Sequence, residues 1–155
     1  TMTFSQKKIK LTLIYMISND KKIRRESIPM ILAGRWGFTV LENYGWTTIP
    51  NSLLYNQKKL GLDNTELLLL IHLISFIHYG DMPAFPAIST LADRINQHPR
   101  TVQRTINKLL KKKIITRKIR SKSSGDKGLS NVYGIEPLID ILANLQDAPS
   151  STNLP

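Results

Sequence analysis

Residues 85–113 read FPAISTLADRINQHPRTVQRTINKLLKKK, and the fold is decided by how they are parsed. Pro99 is a helix-compatible start, and Gln97-His98 lies before it as a turn. Ser89 is the expected N-cap of a short first helix ending near Asn96, with Ile88, Leu91, Ala92 and Ile95 on one face. The second helix opens at Pro99. At about 100° per residue, Val102, Ile106, Leu109 and Leu110 make one apolar stripe. Arg100, Arg104, Asn107 and Lys111 point the other way, flanked by Gln103 and Thr101.

Two short helices joined by a tight turn, the second basic outside and apolar inside, form the helix-turn-helix pattern that lays its second helix in the DNA major groove. Arg, Asn and Gln are the side chains that can pair bidentately with guanine or adenine edges. An ordinary amphipathic surface helix would show the same stripe. The preceding helix and turn, and the absence of any acid between Arg100 and Arg120, favour DNA readout.

Charge distribution points the same way. The 155 residues carry a net charge of +11 with a pI near 10.0. Between Arg100 and Lys127 lie eleven of the 22 basic side chains and one acid, Asp126, a net +10. All other residues together amount to +1. A near-neutral scaffold with one basic block is the footprint of a polyanion-binding protein.

After the basic helix, residues 114–120 (IITRKIR) lose the helical period and favour β-branched residues, so a strand is expected. Residues 121–130 (SKSSGDKGLS) are a turn, and residues 131–135 a return strand. The hairpin would be a wing, with Lys122 and Lys127 at its tip contributing phosphate contacts and little sequence information. A last helix, residues 138–145, has Leu138, Ile141, Leu142 and Leu145 on one stripe, fit to pack on the domain or to pair with a second copy. Residues 147–155 have the composition of a disordered tail.

Upstream, residues 51–59 suit a short helix after Pro50, and Gly61 ends it. Asp63 and Glu66 offer capping and an early acid to a helix over residues 65–79, apolar nearly all round and so expected at the centre of the core. His72 is expected there as a hydrogen-bonded core residue. Gly80, Pro83 and Pro86 make residues 80–86 a loop. Residues 1–45 are expected to be an N-terminal extension with a strand over 9–17, a basic cluster at 21–25 (KKIRR), and a turn around Gly34 and Gly37 between two short apolar pieces.

Several classes are set aside. Cysteine is absent, which excludes disulfides and cysteine-based zinc sites and fits a reducing, cytoplasmic setting. The longest apolar run, residues 67–77, is far short of the roughly 20 residues a spanning helix needs, so no membrane is expected. Lys7, Lys8 and Lys10 before an apolar run imitate a leader, but no small-residue cleavage site follows, so none is expected. Thr1 precedes Met2, as in a trimmed chain. There is no phosphate-binding Gly loop, no nucleophile motif, and no metal-ligand spacing among His72, His78 and His98, so neither an enzyme nor a cofactor is expected.

With these residues in view, PAISTLADRINQHPRTVQRTINKLLKKKIITRK resembles the helix-turn-helix and wing of bacterial, phage and plasmid winged-helix proteins. Their pattern is a Pro-Ala or Pro-Ser start, a Leu-Ala helix, a turn, Arg-Thr-Val-Gln-Arg, and a closing Gly-Leu-Ile. IPNSLL and LGLDNTELLLLIHLISF are similar to the lead-in helices of replication-associated members, including the DnaD-like primosomal and plasmid replication-initiator groups. The resemblance covers residues 46–135. Here His98 replaces the usual small hydroxyl cap, and Lys113 the closing glycine.

The resemblance implies a mainly α fold with a small β-hairpin, a winged helix-turn-helix over residues 46–146 behind an N-terminal extension. It places base readout on Arg100, Thr101, Gln103, Arg104 and Asn107. Backbone contacts are expected from Ser89, Lys108, Lys111, Lys112, Arg117, Lys118, Arg120, Lys122 and Lys127. The expected partner is double-stranded DNA, in replication initiation of a plasmid, phage or bacterial replicon. Self-association, through the N-terminal segment or residues 138–145, and contact with replication proteins are further expectations. A transcriptional repressor of the same fold, or a protein–protein assembly module with an incidental basic face, are the alternatives.

Overall fold

Residues 30–44 hold two short helices where a turn between two apolar pieces was expected. These are α1, Met30–Trp36, and α2, Phe38–Tyr44, preceded by a 3-10 turn at Arg25–Ser27. The break falls at Gly37 alone, whose φ of 77° is one that L side chains rarely adopt, whereas Gly34 lies inside α1. The computed structural model describes residues 3, 6, 23–77, 86–119 and 131–145. The expected strand at 9–17, Lys21-Lys22, most of the loop at 80–86, the hairpin tip with Arg120, Lys122 and Lys127, and the tail lie outside them.

The chain divides into two compact units, residues 1–47 and 48–155. In the first, Ile28 and Leu41 are the buried apolar residues among those described. Glu42 is buried beside them and pairs with Arg25, whose guanidinium lies 5.1 Å from the Phe38 ring centroid.

In the second unit, α3 (Asn51–Tyr55) leads through turns to α4, Asn64–Ser75. The expected acids cap α4 reciprocally. Asp63 Oδ1 accepts the Glu66 N–H at 2.7 Å, and Glu66 Oε1 accepts the Asp63 N–H at 3.2 Å, a capping box. Leu69, Leu70 and Leu73 are fully buried, so α4 is central. It ends at Ser75 rather than running to residue 79, and it is not sealed on every side. Leu68 is exposed and His72 half-buried, which corrects the core assignment of that histidine.

Helices α5 (Ile88–Ile95) and α6 (Pro99–Lys111) pack on each other and on α4. A short hairpin follows: β1 (Thr116–Lys118) pairs antiparallel with β2 (Val132–Gly134), with Arg117 opposite Tyr133. Helix α7, Glu136–Ala143, closes the described chain. Leu138 of α7 enters the core and Leu142 packs against it, so that stripe folds back on its own domain. The core joins Leu53, Leu69, Leu70, Leu73, Leu91, Val102, Ile106, Leu109, Ile114, Tyr133 and Leu138. Each such large side chain contributes about 1.5–3 kcal/mol by leaving water.

Three chain reversals share one geometry. Gly61 (φ 68°), Asn96 (φ 52°) and Lys113 (φ 55°) are left-handed. Each donates its N–H to the carbonyl three residues back, and the next residue donates to the carbonyl five back from itself: Leu62 to Gln57, Gln97 to Ala92, Ile114 to Leu109. This Schellman pattern satisfies the last carbonyls of a helical turn. Glycine and asparagine suit the conformation; a lysine is strained there.

Candidate nucleic-acid interface

The basic helix α6 is capped by an imidazole. His98 Nδ1 accepts the Arg100 N–H at 3.1 Å, so the bond expected of a small hydroxyl is made by a larger side chain. An accepting Nδ1 places the ring proton on Nε2. The turn before it is Asn96-Gln97-His98, one residue longer than expected. At the start of α5 the expectation fails: the N-cap is Ala87, no side chain caps the helix, and Ser89 lies one residue inside it, exposed.

On α6, Val102, Thr105, Ile106 and Leu109 are buried. Thr105 tolerates this because its hydroxyl donates to the Thr101 carbonyl at 2.8 Å. Arg100, Gln103, Arg104, Asn107 and Lys111 are exposed, and Thr101 is half-buried at the edge. Five of the six named readout and phosphate positions on this face are thus open to solvent, and α6 carries no acid.

The two lysines on the flank toward α4 differ. Lys108 Nζ lies 3.6 Å from Asp63 Oδ2, with both side chains about half exposed; such a pair is worth under about 1 kcal/mol and exchanges readily. The Asp63 carboxyl is held below its usual range, first by the Glu66 backbone N–H and then by the Glu66 side chain and Lys108, against a desolvation that opposes them.

Lys112 is committed inward. Its ammonium bonds Glu66 Oε2 at 2.6 Å, Glu66 Oε1 at 2.8 Å and the Gly61 carbonyl at 2.5 Å. Glu66 is 2% exposed. An ammonium has three N–H donors, and all three are spent. Lys112 therefore leaves the set of phosphate contacts and becomes the clamp between the end of α6 and the start of α4. Sequence reading missed this partner. The signal was present: Lys108 and Lys112 are four apart at the end of α6, where Lys112 is the C-cap, and Asp63 and Glu66 three apart at the α4 cap.

At the hairpin, Arg117 and Lys118 are exposed. Arg117 Nη1 donates to Asn107 Oδ1 at 3.4 Å, which brings the base of the hairpin onto the outer face of α6. The Asn107 carbonyl is thereby occupied and its amide donors are left. Elsewhere, Arg94 of α5 reaches α4, stacking 4.2 Å from the Phe76 centroid and donating to Ser75 Oγ at 3.3 Å. Burial, and then Arg94, hold the nearby His72 below its usual pKa. Among the described residues no cluster of His, Cys, Asp or Glu could hold a metal ion, and no helix is long and apolar enough to cross a membrane.

Comparison with curated proteins finds no match. Among solved structures, the chain is similar to the crystal structure of the N-terminal domain of DnaD protein from Geobacillus kaustophilus HTA426. The two share 28% identity over 75% of this chain and 87% of that one, with a TM-score of 0.48. The DnaD N-terminal domain family matches residues 49–152, which take in α3 through α7 and the hairpin between them. On that match this chain belongs to the DnaD N-terminal domain family.

Proposed function

We propose that residues 48–145 are a winged helix-turn-helix that binds double-stranded DNA in replication initiation, with α5 and α6 as the helix pair and β1–β2 as the base of the wing. One observation carries this reading: α6 turns Arg100, Gln103, Arg104, Asn107 and Lys111 outward on a face without an acid. Base readout is assigned to Arg100, Thr101, Gln103, Arg104 and Asn107. Phosphate contact is assigned to Ser89, Lys108, Lys111, Arg117 and Lys118, joined by Arg120, Lys122 and Lys127 beyond the described strand. Family membership supports the replication role over a repressor.

The test is a duplex titration at two salt concentrations. Arg104→Ala should weaken a cognate site by about 1–3 kcal/mol, as for a lost bidentate base contact, and leave random duplex less affected. Equal binding of a cognate site by wild type and variant would remove α6 as the recognition helix.

A further inference from the structure

The contact between Arg117 and Asn107 narrows what α6 can recognise. A guanidinium has donors and no acceptor, so the Asn107 side-chain oxygen, and not its amide nitrogen, faces Arg117 Nη1 at 3.4 Å. Both residues are exposed, and Asn107 shares the outward face of α6 with Arg100, Gln103, Arg104 and Lys111. The two arginines and the lysine of that face can only donate. Gln103 and Asn107 are its amides, able to accept as well, and the Asn107 oxygen is engaged from within the protein.

Adenine and guanine differ at the major-groove edge in one atom that matters here. Both present N7 as an acceptor; adenine adds the N6 amino group, a donor, and guanine adds the O6 oxygen, an acceptor. Asparagine pairs bidentately with adenine by accepting from N6 and donating to N7. At Asn107 the accepting oxygen already faces a cation. A carbonyl oxygen has a second lone pair, but an adenine amino group brought to it would meet the guanidinium charge. Guanine brings an oxygen to the same place, which that charge attracts. In water, a 3.4 Å contact between exposed groups is weak. Under DNA the water is displaced and the local dielectric falls, so the effect of the fixed charge grows.

We propose that Arg117 is a specificity-determining residue: by holding the Asn107 oxygen, it turns that asparagine from a reader of adenine into a reader of guanine. The inference rests on the reading of α6 as the recognition helix. It gives the base of the hairpin a share in base selection. Phosphate contact by the same side chain is compatible with this, because Nη2 and Nε keep their donors.

Selection from a duplex library with a random core, followed by anisotropy titration of the selected duplex and its single-base variants, tests this. The position read by Asn107 is the one whose preference disappears in Asn107→Ala. There the wild type should favour guanine over adenine at least about fivefold, the lower end for one base contact. Arg117→Met removes the guanidinium from an exposed position and leaves the core untouched. It should reverse that preference to adenine, while the preferences lost in Arg100→Ala and in Arg104→Ala stay as they are. A lower salt slope in Arg117→Met with guanine still favoured overturns the proposal and leaves Arg117 a phosphate contact only. Adenine favoured by the wild type overturns it, and so does an Asn107→Ala variant with every preference unchanged. Those outcomes leave α6 as the recognition helix. Enrichment of no sequence by the wild type removes that helix assignment and this proposal together.

Discussion

Replacing Lys112, the residue that caps the end of α6, by methionine should be among the most damaging single changes in the basic segment. Methionine keeps most of the stem and removes the ammonium. Glu66 is then left 2% exposed with one donor, the Asp63 N–H at 3.2 Å, in place of the two Lys112 bonds at 2.6 and 2.8 Å. Removing one partner of a buried pair costs about 3–5 kcal/mol. Here the Lys112 side chain is itself 34% exposed, so water enters beside the orphaned carboxylate, and the expected loss is lower, about 2–3 kcal/mol. Against a typical total of about 5–15 kcal/mol, that is a large share.

Urea unfolding followed by far-UV circular dichroism reads this loss as a drop in midpoint at constant m-value. Lys111→Met, one residue earlier and exposed, is the control and should stay within about 0.5 kcal/mol of wild type. Adding Glu66→Gln to Lys112→Met should restore more than half of the loss, because the buried charge is gone while the amide oxygen still accepts the Asp63 N–H. The DNA phenotypes should cross over: Lys111→Met lowers the salt slope of duplex binding and Lys112→Met leaves it unchanged. If the two lysine variants lose the same stability, the clamp does not exist as described.

Three further changes test the backbone and the caps. Lys113→Gly should gain about 0.5–1 kcal/mol in the same urea assay, because glycine adopts φ near 55° without a Cβ clash. Gly134→Ala should lower the melting temperature only slightly: a Cβ there meets Thr116 Oγ1 at 2.8 Å and the end of the Glu136 side chain, both on exposed residues that can turn aside, so the cost should stay under about 1 kcal/mol. Asp63→Ala should cost about 1 kcal/mol at neutral pH through the lost cap. The Asp63 pKa is depressed in the fold, so its contribution is present above the unfolded value near 4 and is lost as pH falls through the folded one. Wild type and Asp63→Ala should therefore converge in stability below about pH 4.

The second unit was legible because its signals agreed. Proline starts, the acids at 63 and 66, and a stripe of period 3.6 on residues 99–111 all demanded the same elements, and helices α3 to α7 and the hairpin formed where these pointed. Residues 30–44 misled because Met30, Ile31, Trp36 and Val40 are exposed; apolar residues that face water carry no period. Ser89 misled because α5 starts two residues earlier, with Ala87 in place of Ser89 at the cap, which leaves the hydroxyl inside the helix instead of before it. Lys112 was grouped with its neighbours by charge. Its angular position, beside Leu109 at the edge of the buried stripe, was the better guide. No one-dimensional pattern announces the link from Arg117 to Asn107, since it depends on where the hairpin returns.

The reversal at Lys113 also fixes a ruler. From the last turn of α6 the chain turns once and drops Ile114 and Ile115 into the core, and β1 begins at the next residue. Inserting or deleting one residue between Lys111 and Thr116 would shift the pairing of β1 with β2 and carry Arg117 off Asn107. Relatives of this chain should accordingly keep the number of residues from helix to strand the same.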